Sequence, residues 1–349
     1  MTPSDASTAA VAREIAPDVY CLGPKGRTQT NVYFVRAGSS WVLIDAGWTK
    51  DGPAIRQAAE AVFGTGTRPA AILLTHVHPD HDGSALELAR AWEVPVYVHP
   101  EELPQANGDF AAISAGGGPL DIWLILPLMR AMGRRRREEM LAKSSLRDVA
   151  RAFEPGSAVP GLPGWECLPT PGHTPGHVSF FRPSDHTLIA GDALVTMQLN
   201  SILGLLLLRQ GLSGPPWYTS WNWRMAKASV AALARLEPRV LAGGHGMPLT
   251  GAGTGDALGA FADRFSGPAP RPRSPFVAGM LGGVVAVVVT GVLMACLVGC
   301  LGPRVMPRLM KRMIRDGGSD AMRACMERCG RRPASSDDAS AGRLAVPPS

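Results

Sequence analysis

Apolar and polar positions follow two rhythms along this chain. Over roughly the first 265 residues, short runs of Val, Ile, Leu and aromatic side chains are bounded by Gly, Pro and Asp, the signature of strands. The stretches VYCL, NVYFV, WVLIDAG, AAILLTH, VPVYVHP, WECLPT, HVSFFR, TLIAGD and RVLAGG fit it. Between them, helical spacing predicts helices over Pro53 to Val62, Ala85 to Trp92 and Ser220 to Leu236. Ser84 and Glu87 have the spacing of a capping box at the start of the second helix, so the polar residues just before it belong to a strand-to-helix loop.

Three stretches break this rhythm. Between VYVHPEE and WECLPT, an insertion over about residues 105–160 runs from SAGGGP through apolar LDIWLILPLM to RAMGRRRREEM. A second apolar patch, ILGLLLLRQGLSGPPWY, follows Asp192. Each is shorter than the about 20 residues that cross a bilayer, and each reads as core helix, as a lid over a lipophilic pocket, or as contact with a membrane surface. Arg134 to Arg137 read most simply as a solvated helix face, although a basic run beside an apolar one also suits anionic headgroups. The third stretch is different in kind. Phe276 to Leu301 holds 26 uncharged, mostly apolar residues, and no charge occurs between Arg273 and Arg304. It is long enough to cross a bilayer. The expected organisation is therefore a folded body over 1–267, a Pro/Arg linker over 268–275, a transmembrane helix over 276–301, and a basic tail over 302–349 whose end has a disordered composition.

Charge changes the picture for partners. The net +6 resides in the tail, where twelve Lys and Arg stand against five Asp and Glu from Arg271 onward. The body before it is nearly neutral and carries no basic footprint, so no nucleic-acid partner is expected. Six cysteines (Cys21, Cys167, Cys296, Cys300, Cys325 and Cys329) include no CxxC pair, which signals neither a disulfide framework nor a zinc ribbon. The first twenty residues lack a basic start followed by an apolar stretch, and no secretory signal is expected from them.

The candidate chemistry begins at THVHPDH. His76, His78, Asp80 and His81 follow the pattern HxHxDH, and imidazole with carboxylate suits zinc and similar divalent ions. Pro79 excludes a regular helix there. In an extended loop His76 and His78 point to one side while Asp80 and His81 come from the following turn, so one segment can serve two neighbouring metal positions. His173 in PTPGHTPGH, Asp192 in LIAGDAL and His245 in LAGGHGMP each follow a β-type run in a glycine-rich context. Four loops would thus meet at one sheet edge.

The motifs VLIDAG, THVHPDH, PTPGHTPGH, AGD and GGH, in this order, make the chain resemble the metallo-β-lactamase fold superfamily of metal-dependent hydrolases over roughly residues 15–265. The resemblance implies an α/β fold, a four-layer αββα sandwich, followed here by one transmembrane helix. It implies two divalent ions, zinc first with iron or manganese as alternatives. His76, His78 and His173 would hold one ion, Asp80, His81 and His245 the other, and Asp192 would bridge them. Asp45 looks like the family's buried carboxylate that orients a ligand, and His177 like its packing histidine, which does not ligate. His99 and His186 are read as structural or solvated.

In this reading a hydroxide held between the ions attacks an ester, thioester or lactone carbonyl, and Asp80, the catalytic residue, both ligates and passes a proton to the leaving group. An aspartate at 192, where one group of β-lactamases uses cysteine, and Asp80, where the di-iron flavoprotein branch uses glutamate, point toward the glyoxalase II and lactonase-like branch. The apolar insertion, the patch after Asp192 and the adjacent anchor point to a lipophilic small-molecule substrate. A phosphodiesterase of the same fold and a metal-binding recognition protein without turnover are the alternatives. Gly279 and Gly283 form a GxxxG that would pair two anchors in a homodimer. The basic residues after the anchor argue for a tail on the cytoplasmic side; the missing secretory signal argues for a cytoplasmic catalytic body, and the latter is preferred.

Overall fold

Successive side chains of a strand point to opposite faces, and the strands of this chain are apolar on both, so both faces must be covered. In the computed structural model, which describes residues 11–26 and 28–266, β1 (Arg13–Ala16), β2 (Val19–Lys25), β3 (Thr30–Ala37), β4 (Ser40–Ile44), β5 (Ala71–Leu73), β6 (Val96–Val98) and β7 (Ala150–Ala152) form one sheet in that order. β1 to β4 make an antiparallel meander, and β4 to β7 run parallel. The later strands are β8 (Glu166–Pro169), β9 (Val178–Arg182), β10 (Thr187–Gly191), β11 (Val195–Met197), β12 (Gln210–Ser213), β13 (Val240–Gly243) and β14 (Leu249–Thr250). β11 and β12 pair as a separate hairpin; the other five form a second sheet in the order β14-β13-β10-β9-β8.

The alternation sorts the core into layers. Phe34, Leu43 and Ile72 of the first sheet pack outward against α1 (Gly52–Phe63) and α2 (Ala85–Trp92), meeting Ile55, Ala59, Leu88 and Trp92. Their neighbours Tyr33, Ile44 and Leu73 pack inward against Phe180, Ile189 and Ala242 of the second sheet. On the far side Phe181, Leu188 and Leu241 meet Val230 and Leu233 of α8 (Trp223–Ala234) and Leu258 of α9 (Thr254–Ser266). Helix, sheet, sheet and helix follow one another, the expected αββα order. Burial of each large apolar side chain in these layers stabilises the fold by roughly 1.5–3 kcal/mol.

Several local expectations are corrected. The capping box does not form: Ser84 Oγ donates to the Trp48 carbonyl (2.6 Å) and accepts from the Gly52 amide (3.0 Å), tying the starts of α1 and α2 together. Glu87 instead faces Arg56 at 3.9 Å. α8 starts at Trp223, later than expected, because Asn222 Oδ1 accepts from the Arg224 and Met225 amides and so caps it. The insertion is helical, with α3 (Leu103–Ala106), α4 (Phe110–Gly116), a π turn over Asp121–Ile125, α5 (Leu126–Ala131) and α6 (Arg134–Ser144). It also contributes β7, which pairs with β6, so its end belongs to the sheet. α6 carries the arginine run on an exposed surface, where Arg134 and Arg135 pair with Glu138 and Glu139.

All described residues lie in the first of two units of the chain, Met1–Pro270. Among them no helix is long and apolar enough to cross a membrane. The expected anchor over Phe276–Leu301, its GxxxG, the linker, the tail and the first ten residues lie outside the described residues.

Candidate metal centre

The loops that follow β4, β5, β8, β10 and β13 emerge at one edge of the paired sheets and bring Asp45, the HxHxDH segment, His173, Asp192 and His245 together. His76, His78 and His173 form one group of possible ligand atoms, and Asp80, His81 and His245 another. Within each group the atoms lie within 4.8 Å of one another, and His76, His81 and Asp192 form a third group that overlaps both. Asp192 Oδ2 stands 3.3 Å from His173 Nε2 and 3.2 Å from His245 Nε2, between the first two groups, while its Oδ1 is 3.4 Å from His81 Nε2. Asp80 Oδ2 is 3.4 Å from His245 Nε2.

Hydrogen bonds on the far side of each ring fix which nitrogen faces the centre. Asp45 sits in the left-handed region at φ 59° and is buried. It accepts from the Thr75 amide (2.8 Å), from Thr75 Oγ1 (2.9 Å) and from His81 Nδ1 (2.8 Å). Because Thr75 Oγ1 donates to Asp45, it accepts from His76 Nδ1 at 3.0 Å. Likewise Ser220 Oγ donates to the Pro216 carbonyl and accepts from His173 Nδ1 (3.2 Å), and the Thr28 carbonyl accepts from His245 Nδ1 (2.8 Å). Four imidazoles thus spend their one N–H outward and aim an Nε2 lone pair inward.

This arrangement tests whether a cation fits. His78 Nδ1 lies 3.1 Å from His76 Nε2 and 2.9 Å from His173 Nε2. The latter two have no proton left to share, so three nitrogens crowd one point with at most one hydrogen among them. His81 Nε2 and Asp192 Oδ1 are buried without any hydrogen-bond partner, a costly state that a divalent ion would relieve. The donor set of imidazoles and carboxylates is the one such ions take.

Electrostatics agree for His76, His173 and Asp192, whereas His81 and His245, beside the carboxylates, are pulled toward holding a proton where a cation would compete for the lone pair. Burial first, then the neighbouring imidazoles, hold His76 well below the usual histidine range; burial and then His78 do the same to His173. Burial alone would push the Asp192 carboxyl up, but His245 and His81 outweigh it and hold it well below the carboxylate range. For His81 and His245 burial pulls down, and Asp192 above all pulls the balance upward.

Two glycines let the loops approach. Gly191, at φ 51°, has its backbone where a Cβ would meet His177 Nε2 and Thr75 at 2.8 Å. A Cβ on Gly244 would collide with Asp192 Oδ1 and come within 2.9 Å of His81. His177 is placed away from the ligand groups: its Nδ1 meets Thr170 Oγ1 (2.8 Å) and its Nε2 accepts from the Asp192 amide (3.0 Å). Burial pushes it down to about 3, so it stays a neutral acceptor that orients Asp192. His99 accepts from the Glu101 amide and His186 bonds the Leu236 carbonyl, both outside the cluster.

Sequence reasoning missed Glu102. Its buried carboxylate accepts from the Val77 amide (3.0 Å) and the Gly176 amide (2.9 Å), joining the HxH loop to the His173 loop. Nothing in HPEE marks it, since a glutamate after a strand is ordinarily a surface residue. Tyr218 was also missed; burial, then the Asp192 and Asp80 carboxylates, push its phenol up, so it remains a hydrogen-bond donor within electrostatic reach of the cluster.

A family model described as the metallo-beta-lactamase superfamily matches residues 26–245. The chain is 36% identical over 241 residues to the probable metallo-hydrolase YflN of Bacillus subtilis (strain 168), covering 68% of this chain and 88% of that protein. It is 31% identical over 171 residues to the probable metallo-hydrolase YqgX of the same organism, covering 49% and 69%. Among solved structures, a metallo-beta-lactamase family protein from Thermus thermophilus aligns over 72% of this chain and 79% of its own, with 22% identity and a TM-score of 0.49.

Proposed function

The chain belongs to the metallo-β-lactamase superfamily of metal-dependent hydrolases, and from that premise we propose that it uses two divalent ions, zinc in the first instance, to cleave an ester, thioester or lactone bond of a lipophilic small molecule while anchored in a membrane by residues 276–301. One observation carries the reading: imidazoles and carboxylates from four loops, with His76, His81, His173 and His245 each oriented by a hydrogen bond behind the ring, converge on neighbouring points, and at most one proton is left among the three nitrogens of the first group.

His76, His78 and His173 would hold one ion and Asp80, His81 and His245 the other, with Asp192 shared because its carboxylate stands between the groups. Two such ions supply a nucleophile at neutral pH by lowering the pKa of water from near 16 toward about 7, and polarise the carbonyl. The protein's own part is to keep the centre preorganised and partly dry. Asp80 is the ligand carboxylate nearest solvent, at 15% side-chain exposure against 4% for Asp192, which suits it to pass a proton to the departing alcohol or thiol. The lipophilic class is supported by a cavity of about 700 Å3 lined by Trp217, Trp221, Trp223, Phe261 and Phe265. Its wall includes Ser220, which touches His173. The near-neutral body favours such a substrate over a polyanionic phosphodiester.

Elemental analysis of the full chain, with turnover of a graded panel of acyl esters, thioesters, lactones and phosphodiesters, tests this. The expected result is about two metal ions per chain and chelator-sensitive carbonyl hydrolysis that rises with acyl length. Metal below one equivalent without turnover would favour the recognition protein, and phosphodiester turnover alone would favour the other hydrolase branch.

A further inference from the structure

Three stretches far apart in sequence, each contributing residues to the lining of one cavity, expose large apolar side chains. Trp123, in the π turn, is 82% exposed, and Leu206 and Leu207, at the end of α7 (Ile202–Leu206), are 56% and 62% exposed. Trp217 and Trp221 are also exposed. Hydrogen bonds and a shared cavity connect these stretches. The Trp217 amide donates to Asn200 Oδ1 (2.9 Å), just ahead of α7, and the Trp221 amide donates to the carbonyl of His173 (2.9 Å). Ile122, beside Trp123, lines one cavity with Trp217 and Trp221. Scattered exposed leucines need no explanation, but a group of this kind marks an interaction site.

Charge and chain direction select the partner. From residue 193 to 236 there is no Asp or Glu, whereas Arg209 directly follows the leucines and Arg224 directly follows Trp223. Both arginines are exposed. Across this stretch exposed Trp and Leu are flanked by Arg with no acidic residue, a composition that settles at an anionic bilayer surface, while an aspartate stands near Trp123 (Asp121) and another near Phe265 (Asp263). The same cavity is lined by Phe261 and Phe265 of α9, the helix with which the described residues end at Ser266. Only the nine residues 267–275 separate that helix from the 26 uncharged residues beginning at Phe276. Nine extended residues reach about 30 Å, so a spanning segment would keep this rim close to the headgroups.

We propose that the Trp123, Leu206–Leu207 and Trp217–Trp221 rim is a docking surface for an anionic lipid bilayer, which turns the mouth of the hydrolase toward the membrane. This rests on the anchor reading of the preceding subsection, but not on turnover.

The test uses the full chain reconstituted in phosphatidylcholine vesicles with or without phosphatidylglycerol, the acyl chains brominated to quench nearby tryptophan. Strong quenching is expected, greater with phosphatidylglycerol, and most of it should be lost in W123F/W217F/W221F. Leu206→Glu with Leu207→Glu, at exposed positions, should likewise abolish the rim's quenching without releasing the protein. Flotation after alkaline carbonate reads the anchor separately. Retention in carbonate with no rim-dependent quenching overturns the docking surface and leaves the anchor standing. Loss in carbonate with quenching kept at neutral pH overturns the anchor reading and leaves the rim as a peripheral docking site.

Discussion

The histidine edge and the Trp/Leu rim adjoin, share the segment around Ser220, and are built on opposite terms. At the histidine edge most buried polar atoms have an assigned partner, and those that lack one include His81 Nε2 and Asp192 Oδ1, which belong to the ligand groups, besides Thr174 Oγ1 in the His173 loop and Asn31 Oδ1 beside the His245 loop. At the rim the side chains are large, apolar and exposed, with backbone contacts holding their segments but little covering their surfaces. The first region is over-determined by hydrogen bonds from several loops; the second is held in place by them and left open. A change in the first should therefore propagate through its partners, and a change in the second should stay local.

The hardest break in that contrast is Asp192→Asn, which removes the shared carboxylate. Since losing even a partner of a ligand typically costs 10–100-fold, turnover should fall by more than about 10²-fold and metal content should drop; unchanged metal by elemental analysis would remove Asp192 from the site. Glu102→Gln comes next. It keeps the shape but sets an NH2 against the Val77 or Gly176 amide, and a loss of about 10–100-fold in metal affinity is expected by chelator competition; an effect on stability alone would make Glu102 merely structural.

Beneath both regions, the inter-sheet core gives a pH signature. Burial pushes the Cys21 thiol up to about 12 from 9.0. The unfolded chain loses this proton first, so stability is unaffected at neutral pH and falls as pH rises from about 9 to about 12, by up to ~1.4 kcal/mol per unit. Denaturant titrations across that window should show a shallower fall in Cys21→Ala. Ser220→Ala, on the border of the two regions, deprives His173 Nδ1 of its acceptor and should cost about 1 kcal/mol of stability with a modest loss of metal affinity. The smallest effect belongs to the rim: Leu206→Glu with Leu207→Glu should change unfolding free energy by no more than about 0.5 kcal/mol and leave metal content intact. A large loss there would mean the leucines are core and the contrast false.

Legibility followed the same divide. Most strands buried on both faces were visible as apolar runs, because covering two sides requires an apolar residue at nearly every position; β1, β7, β12 and β14, short or partly exposed, were not, and neither was β11, which is buried but only three residues long. WVLIDAG and AAILLTH read as longer strands than form, because β4 ends at Ile44 and β5 at Leu73 and the motif residues after them turn into the loops. The seven candidate ligands stood out because few surface loops need three histidines and an aspartate in six residues. Glu102, Thr75 and Ser220 did not, since each acts by contacting backbone or a ring that the fold alone brings near; Glu102 and Gly176 are 74 residues apart. The Ser84–Glu87 pattern misled for a related reason, as the Gly52 amide at the start of α1 and the Trp48 carbonyl in the loop before it claimed the Ser84 hydroxyl first.

By itself the sequence determined which residue types could carry the chemistry, the order of the strands, the near-neutral charge of the body and the uncharged run near its end, because these depend on composition and local spacing. The tertiary structure alone decided which nitrogen of the oriented imidazoles faces inward, that one carboxylate stands between two ligand groups, and that Asn200, ahead of the leucines, lines one cavity with the tryptophans. Those facts depend on distances between residues tens of positions apart, which only the packing of two sheets against each other sets.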